Sequence, residues 1–297
     1  MKRLLILSGK GGTGKTTVAA SMIRLAEARA CADCDVDAPN LHLVLERGSP
    51  ETEDYHGLPK AHVDEARCTL CGLCEEMCRF GAISIDGHLT IDARACEGCG
   101  LCDHVCPVDA ISMLPAVAGD LLLYRDPEKG VFSTAQLRMG NGTTGLLVAE
   151  VKRRMEKASR QAPLAVIDGS PGIGCPVIAS ISGVDMVLVV AEPSVSGISD
   201  MERILDTAEK LRAYTVVCVN KADAHPRMTE RIRAYCSERD VPYVGEIPYD
   251  SEVVRAVNRG MAPVDVECPA GEAIRRVFAE TMKILDRSPH AGPGMSR

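Results

Sequence analysis

The chain has 297 residues, 46% hydrophobic and 25% charged, which excludes a disordered or fibrous protein. A net charge of −7, with no block rich in Lys and Arg, disfavours a non-specific nucleic-acid surface, because such binding depends on neutralising phosphates. Residues 1–8 carry no secretory signal, and the longest apolar run, Met186 to Ala191, is far too short for a bilayer. A cytoplasmic setting is therefore expected, and a membrane partner is not. In that setting the 14 cysteines are expected to be thiols or metal ligands rather than disulfides.

Residues 3–7 (RLLIL) read as a buried parallel strand, followed by a glycine-rich loop over Ser8–Gly14 and a helix over 15–29. A second short strand is expected through Cys31–Asp35. Further strands are predicted at Leu164–Ile167, Met186–Ala191, Thr215–Val219 and Val241–Ile247, with helices at 145–160, 197–212, 226–239 and 271–286. Strands alternating with helices imply a parallel sheet covered on both faces. The tail, 288–297, has the composition of a disordered segment.

Residues 60–115 break this rhythm. Cys68, Cys71, Cys74 and Cys78 recur 28 positions later as Cys96, Cys99, Cys102 and Cys106. Gly72, Leu73, Ala82 and Ile83 recur at the same offset as Gly100, Leu101, Ala110 and Ile111, so the repeat extends beyond the cysteines. The expected organisation is a discontinuous α/β domain over 1–59 and 116–287, with a small pseudo-symmetric α+β domain inserted at 60–115. A core of that size is marginal without a metal.

Two motifs carry chemistry. Gly9-Lys10-Gly11-Gly12-Thr13-Gly14-Lys15-Thr16, followed by Thr17, fits the phosphate-binding loop G-x-x-x-x-G-K-[ST] between a strand and a helix. Its glycines let backbone N–H groups curl around phosphates at a helix N-terminus. Lys15 is expected at the β/γ-phosphates and Thr16 on Mg²⁺. The second motif, C-x2-C-x2-C-x3-C, occurs twice and is similar to the run of bacterial two-cluster ferredoxins. That likeness assigns Cys68, Cys71, Cys74 and Cys106 to one [4Fe–4S] cluster, and Cys96, Cys99, Cys102 and Cys78 to a second. Cys106 is followed by Pro107, as in that run, but Cys78 is followed by Arg79, a cation that would raise its cluster's potential.

The loop KGGTGKTT, with its extra Lys10, resembles the deviant Walker A loop of the MinD/ParA/Mrp and nitrogenase iron protein superfamily. The resemblance implies a P-loop ATPase that forms an ATP-dependent homodimer, with Lys10 acting on the partner's nucleotide. It also implies that Asp35, within Asp33-Cys34-Asp35-Val36-Asp37, positions the attacking water and Mg²⁺. Asp168, ahead of Gly169-Ser170-Pro171-Gly172, would hold Mg²⁺ through water. Capping is an equal reading for Asp33 and Asp37. Asn220-Lys221-Ala222-Asp223 resembles a base-reading loop, with Asn220 on adenine and Asp223 beside it; Pro248 belongs to a segment that flanks the base.

Cys175 stands seven residues after Asp168, where the iron protein has a cluster-ligating cysteine, and is a candidate metal ligand or nucleotide sensor. Cys31, Cys34, Cys218, Cys236 and Cys268 read as ordinary buried thiols. On the last helix, Ile274, Val277, Phe278, Met282 and Leu285 form an apolar stripe expected to pack on the sheet.

Three functions fit these residues. One is an ATP-gated electron-transfer protein serving a redox or metalloprotein partner. The second is an iron–sulfur assembly scaffold or carrier. The third is a positioning ATPase of the ParA/MinD type, with structural or sensing clusters.

Overall fold

The computed structural model describes residues 1–45, 48–138 and 142–287; the expected disordered tail lies outside them. In chain order the first elements are β1 (Lys2–Leu7), α1 (Lys15–Leu25), β2 (Ala30–Asp33) and β3 (Glu51–His56). The cysteine-rich segment follows as β4 (Lys60–Val63), α2 (Leu73–Met77), β5 (Ile83–Asp86), β6 (His88–Ile91), α3 (Leu101–His104) and β7 (Ile111–Leu114). Then come β8 (Val117–Asp126), β9 (Gly130–Leu137), α4 (Thr144–Ala158), β10 (Leu164–Asp168), α5 (Cys175–Ile181) and β11 (Met186–Ala191). The chain continues through α6 (Val195–Lys210), β12 (Tyr214–Asn220), α7 (Pro226–Glu238), β13 (Tyr243–Ile247), α8 (Ser251–Asn258) and α9 (Pro269–Arg287).

The main sheet runs β13-β12-β11-β1-β10-β2-β9-β8-β3. From β13 to β9 every pairing is parallel; β8 and β3 add an antiparallel edge. Side chains alternate across the sheet. Leu5 and Leu7 of β1 enter a core with residues of α4, α5, α6 and α7, whereas Leu4 and Ile6 enter one with α1 and α9. All four are fully buried, each contributing about 1.5–3 kcal/mol. The stripe on α9 packs as its spacing requires: Ile274, Val277 and Leu285 are buried, with Phe278 and Met282 against them.

The structure departs from the sequence reading at the end of α1 and in elements not expected there, including the short helices α5 and α8. Helix α1 stops at Leu25, not 29, because Glu27 takes a positive φ of 47° and closes the turn into β2. The β8–β9 hairpin and the edge strand β3 were not foreseen.

The cysteine-rich segment leaves the sheet after β3 and rejoins it at β8, where the Gly57 N–H donates to Ala116 O at 3.2 Å. It pairs β4 with β7 and β5 with β6 in separate two-stranded sheets. Its buried hydrophobic cluster is small, comprising Cys74, Ile83, Leu89 and Ile111.

Candidate functional site

The functional side chains gather where β1, β2, β10, β11 and β12 end, as expected of an open parallel sheet. After β1 the loop Gly9–Gly14 turns into α1. Gly9 has no room for a side chain, since a Cβ there would lie 2.0 Å from the Cβ of Asp200 on α6. Gly14 caps α1 at φ 90°, with Asn220 pressed against it. Gly11 and Gly12 are exposed with open space above them, which leaves their backbone accessible.

Lys15 and Asp168 form a buried ion pair at 2.6 Å, their side chains 6% and 0% exposed. Burial disfavours the ammonium, but Asp168 outweighs it and holds the Lys15 pKa above the ordinary lysine value. Lys15 Nζ also lies 3.4 Å from Thr16 Oγ1. The second carboxylate oxygen of Asp168 is buried and, among the described residues, has no partner. A cation beside Thr16 and Asp168 would satisfy that oxygen, so these residues fit Mg²⁺. Thr17 lies in the first turn of α1, where its carbonyl accepts from Ser21 Oγ.

Asp33 acts as the anchor of the loop after β2. Its carboxylate accepts the N–H groups of Asp35, Asn40 and Leu41 at 3.0–3.1 Å. Burial, and then the nearby Asp168, push its pKa upward. This settles Asp33 as a capping residue of that loop. Asp35 stands just beyond, half-buried, its pKa also raised chiefly by burial. The loops after β2 and β10 are tied together: Cys34 N–H donates to Asp168 O at 2.8 Å, and Ser170 Oγ donates to Cys34 O.

Lys10 is held within its own chain, 2.7 Å from Glu192 at the end of β11. Glu192 also meets Lys221 at 3.2 Å, and Lys221 donates to Gly12 O at 3.0 Å. The bond from Lys10, with Lys221 assisting, holds the Glu192 carboxyl below its usual range. Asn220 donates to Thr13 O at 2.6 Å, so it braces the phosphate loop. Asp223 accepts the Tyr249 N–H at 2.6 Å. Asp223 and Pro248 line one cavity of about 500 Å³ with Arg233 and Arg276. Glu192 escaped the sequence reading, where the available signal was a carboxylate directly after the apolar strand β11; Lys221 was read only as part of its loop, without these partners.

The eight repeat cysteines line two cavities in two sets of four. Cys68, Cys71, Cys74 and Cys106 surround the first, and Cys78, Cys96, Cys99 and Cys102 surround the second, of about 310 Å³. Each cavity therefore takes three thiols from one run and the fourth from the other. Cys71 and Cys99 are exposed, while Cys74 and Cys96 are buried. Burial raises the pKa of Cys74 and Cys102. At Cys106 burial is outweighed by the N–H groups of Val108, Ala110 and Ile111, and the thiol is held below its ordinary value. Ala110 N lies 3.2 Å from its sulfur. Among the described residues, no group of three or more His, Cys, Asp or Glu is arranged for a single metal ion.

Cys175 opens α5, exposed and apart from both sets. It packs beside Gly145 of α4. Lys152 of α4 donates to the carbonyls of Ala179, Ser180 and Ser182 at 2.6–3.0 Å, closing the C-terminal end of α5. No sequence signal distinguished Lys152 from a surface lysine. No helix among the described residues is long and apolar enough to cross a membrane.

A phosphate loop between β1 and α1, with a buried lysine–aspartate pair at the end of a parallel sheet, defines a P-loop nucleoside-triphosphate-binding fold. Comparison with known proteins narrows the class. The family model described as the CobQ/CobB/MinD/ParA nucleotide binding domain matches residues 4–264, and the chain belongs to that family. It is a P-loop ATPase. It is 28% identical to the uncharacterized protein MJ0578 of Methanocaldococcus jannaschii over 288 residues, 95% of this chain and 97% of that one. Among solved structures it resembles the septum site-determining protein MinD complexed with Mg-ADP from Pyrococcus horikoshii OT3. The TM-score is 0.59 at 18% identity, covering 97% of this chain and 98% of that one. The MinD cell division protein of Aquifex aeolicus is similar, with a TM-score of 0.55 at 18% identity over 95% and 98% of the chains. At these identities the structural likeness speaks for the fold.

Proposed function

We propose that this chain is an ATP-driven switch of the MinD/ParA kind whose segment 60–115 holds two [4Fe–4S] clusters, and that nucleotide state gates electron transfer from them to a redox or metalloprotein partner. The observation that carries the reading is the sorting of eight thiols into two cavities, each drawing its fourth thiol from the other run. The ligands of a single zinc, with Zn–S near 2.3 Å, stand within about 4 Å of one another. A cubane spreads its four thiolates over four irons, one thiolate to each, and so takes four cysteines around a cavity rather than around a point. The clusters, when bound, supply one-electron redox chemistry.

The chain's residues divide the remaining work. Gly9, Gly11, Gly12, Thr13 and Gly14 present backbone to the phosphates, and Lys15 neutralises their charge. Thr16, Asp35 and Asp168 hold Mg²⁺, with Asp35 also orienting the attacking water; such catalysis is mostly positioning and charge neutralisation. Asn220, Asp223 and Pro248 frame the base. Lys10 must leave Glu192 to reach a partner's nucleotide, so dimer formation exchanges an internal ion pair for one across the interface. The loops bearing Asp35 and Asp168 are bonded to each other, and the chain between β2 and β10 contains the cysteine-rich segment, which gives nucleotide state a route to it.

A second reading, a positioning ATPase of the ParA/MinD type with structural or sensing clusters, is the one that the family match and the named structures favour. Iron and sulfide analysis of anaerobically purified protein, followed by a redox titration with and without ATP, separates them. About eight irons per chain and a nucleotide-dependent potential support gated transfer. Full iron content with an unmoved potential supports the positioning ATPase. Colourless protein free of sulfide removes the cluster proposal.

A further inference from the structure

The repeat of the cysteine-rich segment makes its two halves comparable position by position. The second half lies against the ATPase body. Gly98 is packed so closely on Pro59 and Leu58 that a Cβ would approach within 2.4 Å of Pro59 O, and Glu97 reaches Gly142, just ahead of α4. Among the described residues, the corresponding face of the first half is left exposed. There Leu70, Leu73, Met77 and Phe80 are 44%, 38%, 41% and 48% exposed. Leu73 and Met77, four residues apart, share a face of α2, and Leu70 and Phe80 flank that helix in the chain.

Leu73 lines the first cysteine cavity, and Met77 and Phe80 line the second, so this apolar strip bridges both. Equivalent positions of the second half also line the cavities, Leu101 the second and Val108 the first, so lining alone does not account for the larger and more exposed side chains of the first half. At the equivalent positions, 28 residues on, the second half has Gly98, Leu101, Val105 and Val108, smaller overall and only partly exposed. Its surroundings are acidic: residues 60–115 contain nine carboxylates against four Lys and Arg, −5 of the chain's −7. Glu75 and Glu76 lie on α2 itself, with Arg79 the cation beside the strip. Glu75 is partly engaged by the Ile85 N–H.

We infer that the strip Leu70–Leu73–Met77–Phe80, with its acidic rim, is the docking face for a protein partner. That partner has a basic surface around an apolar centre and carries a one-electron metal centre. This rests on the two-cluster reading above. The pseudo-symmetry assigns one face to contact within the chain and the equivalent face to contact with another molecule. A bound cluster, reduced by a low-potential donor, would supply one electron to the partner's oxidised metal, with no proton or bond exchanged. Charge complementarity would speed encounter, and the apolar strip would set the residence time.

The test uses ferric cytochrome c as the basic one-electron probe, with anaerobic full-length protein of verified iron and sulfide content. Binding is followed by titration and by zero-length carbodiimide cross-linking; transfer is followed by stopped flow after photochemical reduction with deazaflavin. Glu76→Lys should weaken binding at low salt about tenfold, and Phe80→Ser about fivefold at any salt. Asp103→Lys on the other half should change it less than twofold. Cross-links should map to α2. Glu76→Lys and Asp103→Lys should reduce methyl viologen at the wild-type rate; Phe80 lines the second cavity, so Phe80→Ser is read by binding and cross-linking alone, in protein of verified iron and sulfide content.

Equal effects of Glu76→Lys and Asp103→Lys, cross-links confined elsewhere, or no effect of Phe80→Ser would overturn the docking face while leaving the clusters standing. A Phe80→Ser-sensitive dimer in the absence of probe would assign the strip to a second copy and overturn it equally. Wild-type protein without iron or sulfide would instead defeat the reading on which the inference rests.

Discussion

Lys15 and Asp168 illustrate how one contact can serve both stability and function. Their pairing satisfies two charges that burial would otherwise make costly, and removing one partner leaves the other stranded. Lys15→Met should therefore destabilise the nucleotide-free protein by about 3–5 kcal/mol and abolish ATP hydrolysis. The double variant Lys15→Met/Asp168→Asn should lose much less stability than the sum of its single changes, measured by denaturant unfolding in a double-mutant cycle. Because the pKa of Lys15 is raised, the stability it confers is full below the ordinary lysine value and disappears only as pH rises through the higher folded value. Thiol reactivity gives a second check. Burial pushes Cys34 and Cys218 up to about 12 and Cys236 to about 11, whereas Cys175 is exposed. With the cluster ligands occupied, iodoacetamide should label one thiol quickly, Cys175, and the five buried ones only after unfolding. Rapid labelling of two or more thiols in iron-replete protein would contradict this.

Helix α5 shows what a short element needs to stay in place. It has seven residues and no side-chain N-cap, and it follows the loop carrying Asp168. Lys152 holds its far end by three hydrogen bonds, though burial keeps the Lys152 pKa below the ordinary lysine value. Lys152→Met keeps the packed stem but strands those carbonyls, so a loss of about 3 kcal/mol, roughly 6–10 °C in Tm, is expected. With the folded pKa lowered, the unfolded chain binds more protons, so the wild-type advantage should grow as pH rises between the two values. Calorimetry across that range checks both. Such a residue was illegible in the sequence, because a lysine ahead of Arg153 and Arg154 reads as one of a run of surface cations whether it faces solvent or carbonyls. The parallel strands were legible because β1, β10, β11 and β12 are buried on both faces and read as continuous apolar runs. The β8–β9 hairpin mixes Asp120, Tyr124 and Arg125 with its apolar residues, and its turn, residues 127–129, reads as a loop. The loop lysines and aspartates were legible as a set. Their present partners were not, since Glu192 meets Lys10 only through the pairing of β11 with β1.

The nine-stranded sheet and the cysteine-rich segment differ in what holds them together. The sheet buries two large apolar layers, one on each face, and stands without help from a metal. Segment 60–115 has two small two-stranded sheets, two helices of five and four residues, and a buried cluster of four side chains. Folding energy at that scale comes from disulfides or bound metal, and all eight thiols here are free. If clusters occupy the two cavities, their loss should unfold the segment and spare the sheet, because metal-ligand energy and folding energy are then one quantity. The prediction is a selective one. After iron is removed by chelation under reducing conditions, amides of β4 through β7 should exchange with deuterium within seconds, while those of β1, β10 and β11 keep their protection. ATP binding should persist, since Asp168 ends β10 of the sheet and Lys15 and Thr16 open α1, which packs on it. Global loss of protection would show that the two parts fold as one cooperative unit, and unchanged protection of β4 through β7 would show that the segment needs no metal.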